Sequence, residues 1–385
     1  MVRYRNWPGT CLGSTIDINE ISRIAQSIAT SGEFANPYGS PTGPTAHHAP
    51  VFPFLVSFVY HLPPDARTPA RAGLNIVFGS ILCALVYFTG LALGIRKPAS
   101  LVAALILALV PPSLAVELCN DQEATLVGVL TVSAVGVTAL WLRRSFKSNW
   151  LVGWFWGFVL LTAPGLALVY SGALLLATTV PGLGRQVPFL ILLTAIVLAP
   201  WIIRNRLALG GWFFVRDNLG LELRVSNADD AAVDPSMNAE RGAMQDFHPL
   251  FNRAAADMVR KEGELVVYSR YGRDAGAWIE THPSRFLALS WERFRFFWWP
   301  VEGSWRQLVG RTAALLLAAV GLVLLFRRER VSALLLINLF VLYPLVYYFV
   351  QSYARYRFPI EWAIILLAVF ALIEPVKRLS LAKDV

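Results

Sequence analysis

The sequence predicts an all-α polytopic membrane protein with about nine transmembrane helices and a small, mostly helical extracytoplasmic cap. Composition is the first reason, because 56% of the 385 residues are hydrophobic and 15% are charged, an apolar excess that soluble domains do not accommodate. The second reason is the alternation of apolar segments with short basic clusters. The net charge of +9 therefore reflects membrane topology, and no nucleic-acid partner is expected.

Basic clusters between the apolar segments predict the orientation. They are centred on Arg96, Arg144, Arg185, Arg328 and Arg378. Because cytoplasmic loops carry an excess of lysine and arginine, the span count should place all of these clusters on one side, and it does. The predicted apolar segments are 72–94, 99–118, 124–142, 150–180, 187–203, 311–326, 331–350 and 359–373.

The 150–180 segment is predicted to form two short helices. It is too long for one upright span, and the run Ala163-Pro164-Gly165 interrupts it with a proline that cannot donate a helical hydrogen bond. Two crossings keep Arg185 on the cytoplasmic side, whereas one crossing would reverse every later segment.

Four regions follow from this topology. Residues 1–71 form a first extracytoplasmic loop and residues 72–203 the first transmembrane helices. Residues 204–306 form the extracytoplasmic cap, which we call the cap region. Residues 307–385 form the C-terminal transmembrane helices and a short cytoplasmic tail.

The most informative polar segment covers residues 17–54. Asp17 and Glu20 open a stretch whose apolar residues recur at helical spacing, and a Ser-Gly pair predicts its end. A turn rich in glycine and proline follows, and His47 and His48 stand before the prolines that lead back into apolar sequence. Acids and imidazoles next to a membrane indicate a site for an anionic lipid headgroup.

Several short motifs resemble one family of membrane enzymes. In the first loop they are Asp-x-x-Glu from Asp17, Gly-x-Phe-x-x-Pro from Gly32 and His-x-Pro-x-x-Pro from His48. Later motifs are Pro-Trp-Ile-Ile-Arg-Asn, which ends at Asn205, and Arg-Tyr-Arg-Phe-Pro from Arg355. Together they resemble the GT-C superfamily of glycosyltransferases. Its bacterial branch similar to protein-mannosyltransferases and to aminoarabinose and lipopolysaccharide-core-sugar transferases is the closest match.

The resemblance implies an activity and a location. It implies inverting transfer of a hexosyl or pentosyl sugar from a polyprenyl-phosphate donor to a lipid, glycan or protein acceptor. The active site would face the outside of the bacterial inner (plasma) membrane, in contact with membrane lipids. In this family a span precedes the first acidic residue, and residues 1–16 contain no such apolar run. The resemblance therefore implies that the first span is missing.

The acidic residues have assigned roles and alternatives. The resemblance makes Asp17 the base that accepts the acceptor proton, with Glu20 as its neighbour one helical turn later. The alternatives are that Asp17 caps a helix beginning at Ile18 and that Glu20 is a solvated first-turn acid. Asp121 and Glu123 form a second acidic site, for which the alternative is a polar turn before a helix.

Five residues are predicted to bind the donor phosphate. Guanidinium groups suit bidentate contact with phosphate, and the imidazoles precede prolines where relatives place a basic group. The alternatives are snorkelling of the arginines to lipid headgroups and imidazoles whose charge depends on their pKa. The five residues are His47, His48, Arg204, Arg355 and Arg357.

No metal-binding motif is predicted from the spacing of the histidines and cysteines. No cofactor is required, although a divalent cation is compatible with the proposed chemistry. His248 and His282 are expected to be structural.

Two other functions compete with the transferase. One is a transporter or flippase of an amphiphilic substrate, and the other is a non-catalytic, decayed relative. The ionisable residues gather at the outer ends of the spans, which favours chemistry at the surface over a conduction path.

Overall fold

Helices dominate the structure. A computed structural model describes residues 19–109, 123–145, 148–299 and 305–381. Within these residues the one pairing of extended backbone is an isolated bridge between Ala35 and Pro44. The α-helices are Glu20–Ser31, Val51–Ser57, Pro64–Ala92, Lys97–Leu109, Ala124–Leu142, Asn149–Thr162, Ala167–Thr178, Val187–Leu209, Leu219–Ser226, Pro235–Arg241, Ala243–Phe247, Arg253–Glu262, Glu264–Thr281, Pro283–Trp298, Trp305–Arg328, Arg330–Leu342, Leu345–Phe349 and Phe358–Leu381. Short 3₁₀ segments are Phe58–His61, Pro164–Leu166, Gly184–Gln186 and Ala354–Arg357.

The predicted all-helical membrane character is confirmed at a coarse level. Every apolar segment predicted to span is mostly helical where it is described. Among the described residues, six helical stretches are long and apolar enough to cross a membrane: Pro64–Ala92, Ala124–Leu142, Gly184–Leu209, Trp305–Arg328, Arg330–Phe349 and Arg355–Glu374. The segments 99–118 and 150–180 contribute shorter apolar helices. The count of nine spans therefore stays a prediction.

The predicted break near Pro164 is confirmed. The helix Asn149–Thr162 ends one residue before Ala163, and a new helix, Ala167–Thr178, follows one 3₁₀ turn. The two halves have different partners. A Cβ at Gly157 in the first half would lie 2.5 Å from the Cβ of Val197, so that half packs tightly on the helix Val187–Leu209. In the second half, the Val169 carbonyl accepts a hydrogen bond of 2.8 Å from Asn338 Nδ2.

Two helices form the centre of the bundle. The most apolar part of Ala124–Leu142 is 78% buried, and that of Arg355–Glu374 is 72% buried. The corresponding share in the other four membrane-length helical stretches is 17% to 39%. The large buried side chains Trp362 and Phe370 lie on the last helix. At Gly321, the absence of a side chain lets the helix Trp305–Arg328 approach the carbonyl oxygen of Leu367.

Three of the five predicted basic clusters meet at one end of the bundle. Arg143 donates to the Ala92 carbonyl at 2.7 Å and lies 3.4 Å from Glu329. Glu374 lies 3.1 Å from Arg328 and 3.8 Å from Arg96. Ends of helices that are distant in the sequence therefore meet here, as the predicted topology requires.

The cap region has its own small apolar core, which it shares with the first loop. Leu221, Val259 and Tyr268 are buried in one cluster, and Tyr38 of the first loop belongs to the same cluster. A Cβ at Gly220 would overlap the Tyr268 carbonyl oxygen, so two helices of the cap region cross in direct backbone contact. The first loop and the cap region form one unit, and its place outside the cytoplasm stays a prediction.

Substitution of Gly321 tests the packing at the centre of the bundle. Gly321→Ala is expected to lower the free energy of unfolding by about 1–3 kcal/mol, because the added methyl group has to displace backbone atoms. The measurement is the apparent Tm of the detergent-solubilised protein. Gly310→Ala in the same helix is the control, since a Cβ there meets nothing within 4 Å. Equal Tm values for the two variants would contradict the close contact.

Candidate functional site

The first helix begins at Glu20 and ends at Ser31. Asn19 is its N-cap, with the Asn19 side chain accepting a hydrogen bond of 2.9 Å from the Ser22 N–H. The interpretation of Asp17 as the cap of a helix starting at Ile18 is therefore wrong. The predicted end is confirmed, since Gly32 has φ +73° and donates its N–H to the Ile28 carbonyl. Asp17 itself lies outside the described residues.

Glu20 meets two histidines from distant parts of the chain. Its Oε1 atom lies 3.9 Å from Nε2 of His47 and 3.7 Å from Nε2 of His248. The three ligand atoms are all within 4.8 Å of one another. Both imidazoles are buried, and the side chain of Glu20 is 13% exposed. This group is the centre of the candidate site, and we call it the Glu20 cluster.

Hydrogen bonds orient both rings of the Glu20 cluster. The Tyr38 hydroxyl lies 3.1 Å from Nδ1 of His47, and it also contacts the hydroxyl of Tyr268. In His248 the Nδ1 atom accepts a hydrogen bond of 3.2 Å from the Leu250 N–H. A neutral His248 then carries its proton on Nε2, on the side of Glu20.

The backbone before His47 is fixed from several directions. Glu264 accepts hydrogen bonds from the Thr45 hydroxyl at 2.6 Å and from the Ala46 N–H at 2.7 Å. Arg204 donates to the Thr45 carbonyl at 2.7 Å, and Arg216 donates from Nε to the His47 carbonyl at 2.8 Å. These four hydrogen bonds restrict the movement of the loop.

Glu264 lies in the field of a second buried carboxyl, that of Asp217. Burial raises the pKa of Asp217 to about 6, while its interaction with the Glu264 side chain opposes the rise. Burial also raises the pKa of Glu264 well above its ordinary value, and the negative charge of Asp217 adds to that rise. Two adjacent buried carboxyls favour sharing a proton over carrying two charges.

The charged groups around Glu20 shift its pKa in opposite directions. Burial raises the pKa of Glu20 above its ordinary value, and the positive charges of Arg355 and Arg216 oppose this rise. The negative charge of Glu123 adds to it. Glu123 stands at the N-cap position of the helix Ala124–Leu142, so a carboxylate predicted for a second acidic site does act on the first one. Its partner Asp121 lies outside the described residues.

The histidines are held in the neutral form. Burial lowers the pKa of His47 well below its ordinary value, with further contributions from His48, His248 and Arg216. Burial likewise lowers the pKa of His48, assisted by Arg216 and Arg355, and burial lowers that of His248 to about 4. Neutral imidazoles can form hydrogen bonds or bind a metal ion. They lack the positive charge that would attract a phosphate.

The three predicted phosphate arginines differ in their surroundings. Arg204 donates to the carbonyls of Thr45 and Phe34. Arg357 donates to the Trp298 carbonyl at 2.7 Å and forms an ion pair of 2.5 Å with Glu361. These contacts give both arginines structural roles, and their contact with phosphate stays a prediction.

Arg355 makes a different kind of contact. Its guanidinium lies 4.1 Å from the ring centroid of Tyr353 and 5.4 Å from that of Tyr356. Stacking occupies the face of the guanidinium and leaves its N–H edges for other partners. Arg355 is therefore the predicted arginine best suited to bind an anion.

Four residues of the site were not predicted by the sequence. Their types are common at surfaces and helix ends, and none stands in a recognisable motif, so no local signal separates them from structural residues. They are Arg216, Asp217, His248 and Glu264. His248, for which a structural role was expected, is part of the Glu20 cluster, whereas His282 is exposed and stacks on Trp278.

Comparisons of the chain with protein-family models, with curated proteins and with solved structures find no match. The resemblance to GT-C glycosyltransferases therefore depends on the short motifs alone.

The Asp217 carboxyl is predicted to reduce the stability of the folded state at neutral pH. Because its pKa of about 6 in the folded state exceeds the ordinary 3.8, this carboxyl destabilises the folded state fully above pH 6, and the destabilisation decreases as the pH falls from 6 towards 3.8. Asp217→Asn should raise the free energy of unfolding at pH 7.5 by about 1–3 kcal/mol. The apparent Tm at pH 5 and pH 7.5 measures it.

An exposed acid in the cap region provides the control for this substitution. Asp274→Asn changes an exposed residue of the helix that carries Glu264, and it should leave the pH dependence of Tm unchanged. A variant Asp217→Asn with the same pH dependence as wild type would show that Asp217 is not the titrating group.

Proposed function

We propose that this chain is an integral membrane glycosyltransferase of the GT-C type. It transfers a sugar from a polyprenyl-phosphate donor to a lipid, glycan or protein acceptor. The observation that carries the proposal is that the charges of Arg355, Arg216 and Glu123 all act on the carboxyl of Glu20. These residues come from the first loop, two transmembrane helix ends and the cap region.

The carboxylates supply the base for this reaction. An acceptor hydroxyl loses its proton as its oxygen attacks the anomeric carbon, and a positioned carboxylate accepts that proton. Asp17 is the proposed base, and Glu20 is the second carboxylate, three residues later. Support comes from the raised pKa of Glu20, since a carboxylate with a raised pKa is a stronger base at neutral pH.

The arginines stabilise the departing group. The bond from the anomeric carbon to the phosphate oxygen breaks, and the polyprenyl phosphate leaves with additional negative charge. Preorganised cations in a buried place stabilise such developing charge more strongly than water does. Arg355 fits this role through its stacked guanidinium, and Arg216 adds a second positive charge from the cap region.

The arrangement of charges supports an outward-facing site. Arg143, Arg328 and Glu374 lie at one end of the bundle, and basic residues mark the cytoplasmic side. The helix Ala124–Leu142 runs from Glu123 at the site to Arg143 at that basic end. This arrangement supports the proposal that the Glu20 cluster faces the external side of a bacterial inner membrane.

The activity is tested by release of free polyprenyl phosphate from a panel of polyprenyl-phosphate sugars. Membranes containing the wild-type chain should release it. Asp17→Asn and Glu20→Gln should each reduce the rate about 10²–10⁴-fold, as loss of a general base does. Glu280→Gln changes an exposed acid of the cap region and should keep the rate.

The results separate three conclusions. Release that depends on Asp17 supports the transferase and the base together. Release that survives Asp17→Asn but fails in Glu20→Gln or Glu123→Gln moves the base to that residue. If a folded wild-type protein consumes no donor, the transferase proposal is wrong.

Arg355 is tested separately through donor binding. Arg355→Gln should raise the KM for the donor and lower kcat, and Arg355→Lys should restore only part of the loss, because an ammonium cannot form the bidentate contact. A combined loss of about 10²–10³-fold in kcat/KM is expected for the removal of one charge-stabilising donor. Arg185→Gln, an exposed residue in the loop before the Val187–Leu209 helix, is the control. Equal kinetics of Arg355→Gln and wild type would remove Arg355 from the phosphate site.

A further inference from the structure

The three ligand atoms of the Glu20 cluster have an unusual spacing. Oε1 of Glu20 is 3.9 Å from Nε2 of His47 and 3.7 Å from Nε2 of His248. These separations exceed the roughly 2.7–3.2 Å of a direct hydrogen bond. Two ligands of one zinc ion, each about 2.0–2.2 Å from it, lie about 3.3–4.2 Å apart when the angle at the metal is tetrahedral or wider. The two distances from Glu20 therefore match a shared ion better than they match direct contact, and all three ligand atoms lie within 4.8 Å of one another.

We propose that Glu20, His47 and His248 bind a divalent cation of the zinc class. Two imidazoles and one carboxylate form a set of borderline ligands that suits Zn²⁺ and its neighbours better than Mg²⁺ or Ca²⁺. Three protein ligands leave a fourth position open, as in zinc sites that bind a substrate or water. The proposal is argued from the spacing and type of these ligand atoms and does not require the glycosyltransferase activity, although both proposals involve Glu20.

Neighbouring groups orient one of the two histidines for this role. The Tyr38 hydroxyl contacts Nδ1 of His47, which directs Nε2 towards Glu20. Hydrogen bonds of this kind fix the ring and the protonation of histidine ligands. Tyr38 is buried and also contacts the Tyr268 hydroxyl, so the orientation of His47 depends on the cap region.

Binding requires one local change at His248. Its Nδ1 atom accepts the Leu250 N–H at 3.2 Å, which places the ring proton on Nε2. Coordination through Nε2 moves that proton to Nδ1, and the hydrogen bond from Leu250 is lost. The free energy of metal binding therefore has to offset the loss of one hydrogen bond.

The charges around the cluster determine what the ion adds. Glu20 and Glu123 attract a cation, whereas Arg216 and Arg355 repel it. A bound divalent ion makes the whole group positive, and its open position then favours an anionic oxygen. A phosphate or carboxylate oxygen of a substrate is the ligand of matching chemistry.

The test measures binding of zinc by the full-length protein. The protein is purified in detergent with a tag that contains no histidine, stripped with EDTA and dialysed, then equilibrated with ZnCl₂ and analysed for metal by mass spectrometry. One zinc ion per chain is expected for wild type. Affinity should fall at least 100-fold in Glu20→Gln and His248→Asn, and His282→Gln should keep the wild-type affinity.

Two further measurements separate loss of the site from loss of the fold. Zinc should raise the apparent Tm of wild type, as a ligand of the folded state does, and it should not raise that of a folded Glu20→Gln variant. Tyr38→Phe keeps all three ligands and should weaken binding about 10–100-fold, as loss of a group that orients a ligand does.

Either of two results would overturn the proposal. One is a wild-type protein that binds no zinc, and the other is zinc bound with equal affinity by wild type, Glu20→Gln and His248→Asn. Because metal content and Tm are measured without any donor substrate, failure of the metal site is distinguishable from failure of the transferase.

Discussion

The two hydrogen bonds that Glu264 accepts from Thr45 and Ala46 connect the cap region to the first loop. They are the interaction on which the candidate site depends, because the same loop carries His47 one residue later. A buried hydroxyl and a buried N–H without partners would each destabilise the fold. The loop can therefore be buried only while the cap region is in place. The shared apolar cluster around Tyr38 strengthens the same connection.

The site combines opposite charges with neutral imidazoles, and this combination follows from burial. Isolated buried charges are strongly disfavoured, yet Glu20 and Glu123 lie in the field of Arg216 and Arg355. His47 and His48 have no such compensation, and their pKa values fall instead. A partly buried group of acids and arginines beside neutral ligands can bind an anionic headgroup, and it can also bind a metal ion. The proposed transferase and the proposed zinc ion would use the same space.

The two ends of the bundle differ in how their charged residues are paired. At one end, Arg96, Arg143 and Arg328 pair with Glu329 and Glu374 across helix ends, which fastens the spans together. At the other end, Glu20 lies in the field of Arg216, Arg355 and Glu123, and it forms no close ion pair with either arginine. Paired charges stabilise, whereas charges held near one another without full pairing are typical of functional sites. This contrast, together with the resemblance in the first loop, is the basis for placing chemistry at the second end.

The sequence alone determined the features that depend on neighbouring residues. Apolar length and spacing predicted the helices, Pro164 predicted the break, and Gly32 the end of the first helix, because dihedral preference and hydrogen-bond loss act locally. Only the tertiary structure decided which residues belong to the site. His248 and Glu264 reach it through packing of the cap region, and Arg204 and Arg357 are drawn into backbone contacts. Contacts between distant segments depend on how whole helices pack, and no short motif encodes that.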